Sequence, residues 1–91
     1  MSVYLITYDL SHKPEKDYEP VWKYIKDHAW AKLSESSYAI VSSQTPQTIF
    51  NALHKIIHPD DHMLVITLTR PYTGRNSAAV IDWLASHLGA P

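Results

Sequence analysis

The chain has 91 residues, 45% of them hydrophobic, with eight Lys and Arg against nine Asp and Glu, a formal charge of −1, and no cysteine. This length predicts one domain over residues 1–91, which buries only about two-thirds of its unfolded surface and gains stability from a partner subunit. The composition excludes disulfide stapling and points to a reducing cytoplasm, and it lacks the basic surplus of proteins that grip nucleic acid by its phosphates.

No apolar run nears the roughly 20 residues of a membrane span. Residues 1–8 carry no basic start and no cleavage site, so no signal peptide is expected. The first element is VYLITYDL, residues 3–10. Its β-branched and aromatic residues predict a strand over 3–8, with Asp9 where the strand emerges. Pro14 fits the entry to a helix. Tyr18, Val21, Trp22, Ile25 and Ala29 then form one helical stripe, opposed by Lys16, Glu19, Lys23, Lys26 and Asp27. Pro20 delays the regular helix to near residue 18.

WAKLSESSYAIVSS, residues 30–43, predicts a strand over 30–34, a break at Glu35 and Ser36, and a strand over 37–42. Thr45 followed by Pro46 is a hydroxyl N-cap with proline at the first helical position. The stripe of that helix is Ile49, Phe50, Leu53, Ile56 and Ile57, stopped by Pro59. A strand over 63–68 follows the HPDDH turn, and RPYTGRN, residues 70–76, is a loop. Ser77 caps a last helix with Val80, Ile81, Trp83, Leu84 and Leu88 as its apolar positions and Gly89 just past its end.

The order β-α-β-β-α-β plus a terminal helix predicts an α+β, ferredoxin-like antiparallel sheet. Its first and third strands are central and both inner helices lie on one face. A sheet with one wet face alternates apolar and polar residues, yet residues 3–8 and 63–68 do not. The second face is therefore expected to be covered, by the terminal helix or by the same face of another subunit. At this length a homodimer through the sheet face is the expectation.

Few residues carry chemistry. Asp9 either caps the turn after the strand, bonding the Ser11 backbone, or meets its copy near a dimer axis and holds a hard cation such as Mg²⁺. Asp60 and Asp61, flanked by His58 and His62, read as a turn rather than a metal cluster. His54 and His58 have the spacing of a ligand pair, but a solvated polar face fits them better. Arg70, Tyr72 and Arg75 suit either phosphate and base contacts or the rim of a subunit interface. The serines show no nucleophile motif. Trp22, Trp30 and Trp83 read as core or interface.

The strand ending in Tyr8-Asp9, the segment SESSYAIVSS, the proline-started helix and PDDHMLVITL resemble the small CRISPR-associated protein two. VapD-like toxins and small SinR-like bacterial proteins share that superfamily. The SinR-like group is the most similar, through the DD turn and the PYTG that follows the last strand. The resemblance spans roughly residues 3–74. It implies a ferredoxin-like homodimer, in some members a metal-dependent nuclease and in others a non-catalytic part of a protein–nucleic acid assembly. By the same resemblance the metal-binding acid is Asp9, and the serine after the strand break is Ser36 or Ser37. Arg70, Arg75 and Lys13 would contact phosphate. The family's nucleases carry a basic run after the aspartate. Here His12, Lys13 and Lys16 are offset by Glu15 and Asp17. The expected role is thus a non-catalytic scaffold or regulatory interaction subunit that pairs with itself and binds nucleic acid or another protein. The alternative is an endoribonuclease or deoxyribonuclease using Mg²⁺ and Asp9 from each subunit.

Overall fold

The computed structural model describes residues 1–10 and 19–88. The readings of Ser11, His12, Lys13, Pro14, Glu15, Lys16, Asp17 and Tyr18, and of Gly89 as a helix stop, lie outside these residues. The described chain runs β1 (Ser2–Asp9), α1 (Glu19–Lys26), β2 (Trp30–Ser34), β3 (Ser37–Ser42), α2 (Pro46–Leu53), a 3₁₀ turn (His54–Ile56), β4 (His62–Leu68) and α3 (Ala78–His87). It is an α+β fold with a four-stranded antiparallel sheet in the order β2-β3-β1-β4, so the first and third strands are central as expected.

The sheet register sorts side chains onto two faces, because directly opposed residues in an antiparallel pair share a face. Tyr4 lies opposite Ile40 and Thr67, and Ile6 opposite Tyr38 and Val65. This face is roofed by α1 and α2. Tyr4, Ile6, Tyr8, Tyr38 and Ile40 pack with Val21 and Ile25 of α1 and Ile49 and Leu53 of α2. The polar tips of these aromatics find partners. The Tyr4 hydroxyl donates to the Gln44 carbonyl at 2.6 Å, and Trp22 Nε1 donates to the Tyr8 hydroxyl at 3.3 Å. A buried phenol or indole without a partner would cost free energy.

The opposite face carries Val3, Leu5, Thr7 and Asp9 of β1, with Leu68, Ile66, Leu64 and His62 opposite them on β4. Here α3 provides the cover. Val80, Leu84 and Leu88 pack against Val3 and Ala39, with Leu33, Val41, Leu68 and Trp83 at the margin. The terminal helix therefore covers part of the second face from within the same chain. It leaves a strip uncovered: Leu64 is 62% exposed, Ile66 44% exposed, and Leu5 between them and the core is half-buried.

Local chemistry sets the helix boundaries. Thr45 Oγ1 accepts from Thr48 N at 3.1 Å and Pro46 sits at the helix start, as the sequence predicts. Ser77 Oγ accepts from Val80 N at 3.3 Å at the start of α3. Two expectations are corrected. The first helix ends at Lys26, where Asp27 N and His28 N turn back to the carbonyls of Tyr24 and Ile25, so Ala29 leaves the apolar stripe and is exposed. The second α-helix ends at Leu53, and its last turn tightens to 3₁₀ through Ile56, with Ile56 and Ile57 half-buried. Val65 is half-buried because β4 is an edge strand. No helix among the described residues is long and apolar enough to cross a membrane.

Arg70 closes α3 from outside. Its Nη2 donates to the Ala85 carbonyl at 3.1 Å and its Nε to the Leu88 carbonyl at 3.4 Å. A cation at the carbonyl end of a helix satisfies orphan acceptors and complements the dipole.

Three stability predictions follow from this packing. Leu53→Ala removes a side chain with no exposed surface and should cost about 2–5 kcal/mol in urea denaturation, whereas Leu64→Ala on the open strip should change stability by no more than about 0.5 kcal/mol in the monomer. Arg70→Gln should lower stability by about 1 kcal/mol, since the charged donor at the end of α3 is lost. Its melting temperature would match the wild type only if α3 held its last turn without that contact. Burial raises the Tyr24 hydroxyl above its ordinary pKa. The folded state thus favours the neutral phenol, a contribution present below about pH 10 and lost as pH climbs past it. Tyr24→Phe should make the alkaline fall in melting temperature shallower.

Candidate functional site

The end of β1 and the β2–β3 turn form one corner of the sheet. Tyr8 N donates to the Ser36 carbonyl at 3.0 Å, one step beyond the Thr7–Ser37 pair, and this sets Ser36 beside the last residues of β1. The Tyr8 hydroxyl, on the other face, reaches the Glu35 carbonyl at 3.5 Å. Two of the three sequence-predicted catalytic residues, Ser36 and Ser37, are therefore carried to the strand end that holds the third, Asp9. Antiparallel pairing of β1 with β3 causes this, because the hairpin turn must then fall where β1 ends.

The hydroxyls at this corner are largely occupied with each other. Ser34 Oγ and Ser37 Oγ lie 2.6 Å apart, and Ser36 N donates to Ser34 Oγ at 3.3 Å. Ser34 thus shapes the turn, a local side-chain-to-backbone bond typical of such segments. Ser37 is half-buried and Ser36 exposed. Ser34 is a participant that sequence reasoning did not single out. Its signal is its place three residues before Ser37 across a tight turn.

Asp9 is exposed, and across the sheet its partner position is His62 of β4. Sequence reasoning grouped His62 with the Asp60–Asp61 turn; the register instead sets it beside Asp9. The turn itself forms as expected. Asp61 is buried and its Oδ2 accepts from His58 N at 3.0 Å, while His58 Nδ1 accepts from Asp60 N at 3.0 Å. His54 lies in the 3₁₀ turn and His58 beyond it, so the pair does not share a helical face. His54 stacks on Phe50 at 5.4 Å between ring centroids. Among the described residues, no group of three or more His, Asp or Glu is placed to hold a metal ion.

Arg70 stands elsewhere. Leu68 of β4 pairs with Val3, six residues before Asp9 on β1, so Arg70 lies at the far end of the sheet, about 20 Å along the strand direction from Asp9. There it closes α3 and lies 5.7 Å from the centre of the Tyr72 ring. Arg75 is exposed in the loop over residues 69–76. It stands on the rim of a cleft of about 230 Å³ walled by Leu33, Leu68, Tyr72, Val80 and Leu84. The next residue, Asn76, fixes that loop to the edge of the sheet by donating from Nδ2 to the Leu33 carbonyl at 3.0 Å. Within one chain the structure gathers Asp9, Ser36 and Ser37 and leaves Arg70 apart from them. Lys13 lies outside the described residues.

What this corner can do alone is limited by its composition. It offers an exposed carboxylate, an imidazole and hydroxyls on a solvent-facing sheet end. Among the described residues the cation nearest it is Lys32, whose Nζ pairs with Glu35 in the same turn at 3.3 Å, while Arg70 stands at the other end of β1. Comparison with known proteins finds no family model, no curated protein and no solved structure that matches this chain.

Proposed function

We propose that this chain is a ferredoxin-like homodimer of the kind its resemblance to the CRISPR-associated-protein-two and SinR-like proteins implies, acting in the cytoplasm as a non-catalytic scaffold or regulatory interaction subunit. The fold reading is supported by the β-α-β-β-α-β order, the central first and third strands, and the placement of α1 and α2 on one face. The observation that carries the functional reading is the apolar strip of Leu5, Leu64 and Ile66, which α3 leaves uncovered. Exposed large apolar side chains grouped on one sheet surface mark a site of association. The commitment of Arg70 to α3 adds support, since it holds one of the two arginine candidates away from the Asp9 corner. The partner is a second copy of the chain, and the assembled pair would present nucleic acid or another protein with a surface rather than an active site.

A metal-dependent nuclease is the second reading. What favours it is the exposure of Asp9 at a strand end that also carries Ser36 and Ser37. In that reading paired Asp9 carboxylates hold Mg²⁺, which activates water and binds a phosphate oxygen. One substitution separates the two. Asp9→Asn keeps the shape and removes the charge. In the scaffold reading, light scattering gives about twice the 10.4 kDa chain mass for both proteins, and added Mg²⁺ moves neither melting curve. A Mg²⁺-dependent rise in stability confined to the wild type, or RNA or DNA cleavage that the Asn protein lacks, would assign the nuclease instead.

A further inference from the structure

The two edges of the sheet are unlike. β2 is guarded in the ways that natural edge strands are. Its register shifts between Lys32 and Ser34, Lys32 projects from it, and Lys32 Nζ pairs with Glu35 at 3.3 Å. β4 has none of these devices. Its seven residues, HMLVITL, contain no lysine, arginine, acid, proline or glycine, and they pair with β1 without a break from Val3–Leu68 to Asp9–His62. Among the described residues, no strand lies beyond β4. Its outer row of backbone N–H and C=O groups is left as a template for another strand. The two most exposed large apolar residues of the sheet, Leu64 and Ile66, lie on this same strand and on one face of it.

We infer that β4 pairs antiparallel with β4 of a second copy, so that two four-stranded sheets join edge to edge into one of eight strands. This rests on the homodimeric reading above and moves the contact between the copies from the open sheet face to the β4 edge. Both features of β4 call for it. A partner laid on the open face would cover Leu64 and Ile66 but leave the backbone row unused. A strand added at the edge uses that row and brings apolar side chains alongside. The occupant is a second copy because the strand is self-complementary. A two-fold axis at Val65 sets Leu64 opposite Ile66 of the second copy, apolar against apolar on the same face, and sets Met63 opposite Thr67 on the other. The strand holds no lysine, arginine or acid, so approach of two identical edges sets no such like charges against each other.

The arrangement bears on Asp9. Asp9 lies one strand in from the edge, level with His62. In the joined sheet the two copies of Asp9 stand about 25 Å apart, at diagonally opposite corners, from ordinary strand spacing and rise. No single cation bridges that distance, so each corner works alone.

The absence of cysteine makes the test direct. Leu64→Cys and Ile66→Cys proteins are prepared separately, confirmed as dimers by light scattering at the concentration used, mixed, and oxidised. Edge pairing predicts a covalent dimer in the mixture well above the yield from either protein alone, because directly opposed residues come within disulfide reach. In parallel, Asp9→Cys carrying a nitroxide label, with the strand untouched, should give an electron–electron distance near or beyond about 25 Å. A dimer whose mixture cross-links no better than the separate proteins, or whose labels lie within about 15 Å, overturns the edge arrangement and leaves the homodimer standing. A wild-type chain that scatters as a monomer at high micromolar concentration overturns both.

Discussion

Everything in this molecule is arranged around a central strand that must be covered on both sides. β1 is bonded to β3 on one flank and β4 on the other, so its side chains have no edge toward which to escape. Tyr4, Ile6 and Tyr8 point one way and are roofed by two helices. Val3, Leu5 and Thr7 point the other way, where a single helix is available. α3 has ten residues and so a length of about 15 Å. A four-stranded sheet is about that wide and longer than that along its strands. The stripe Val80, Leu84, Leu88 can therefore cover one diagonal of the face and no more. Leu64 and Ile66 are what remains.

The same constraint accounts for how the termini of the elements are secured. α3 matters to the second face only while it stays seated, and it is held at both ends. At its start, Asn76 bonds the Leu33 carbonyl and Ser77 caps Val80 N. At its end, Arg70 grips the Ala85 and Leu88 carbonyls, and His87 Nδ1 bonds the Trp83 carbonyl at 2.7 Å while its ring stacks on the Trp83 indole. An arginine that sequence pattern alone offered for phosphate is thus engaged in the fold. The chemistry-bearing residues at the other end of β1 are the consequence of strand pairing: the hairpin that must close beside Asp9 happens to be rich in serine. Their nearness gives a polar corner, in which Lys32 of β2 is paired with Glu35 of the turn.

How much of this was legible beforehand differs from element to element. The amino-acid sequence by itself determined the element order, the hydroxyl caps at Thr45 and Ser77, the apolar stripes of the two inner helices, and the need for cover on both sides of the sheet. These rest on local pattern: unbroken apolar runs for the central strands, a period near 3.6 for helices, and the short-range hydrogen bonds of caps and turns. Its errors were also local. Ala29 fits the helical stripe yet lies past the helix end, because apolar spacing continues to match a helix after the backbone has turned away. Only the tertiary structure decided which residues meet across the sheet. Asp9 beside His62, Ser36 beside Tyr8, and Arg70 against α3 all join positions far apart in the chain. Strand register and the landing point of α3 bring them together, and neither leaves a periodic trace in the residues concerned. The partial cover of the second face is of the same kind, since it depends on where a helix of fixed length comes to rest on a sheet longer than its reach.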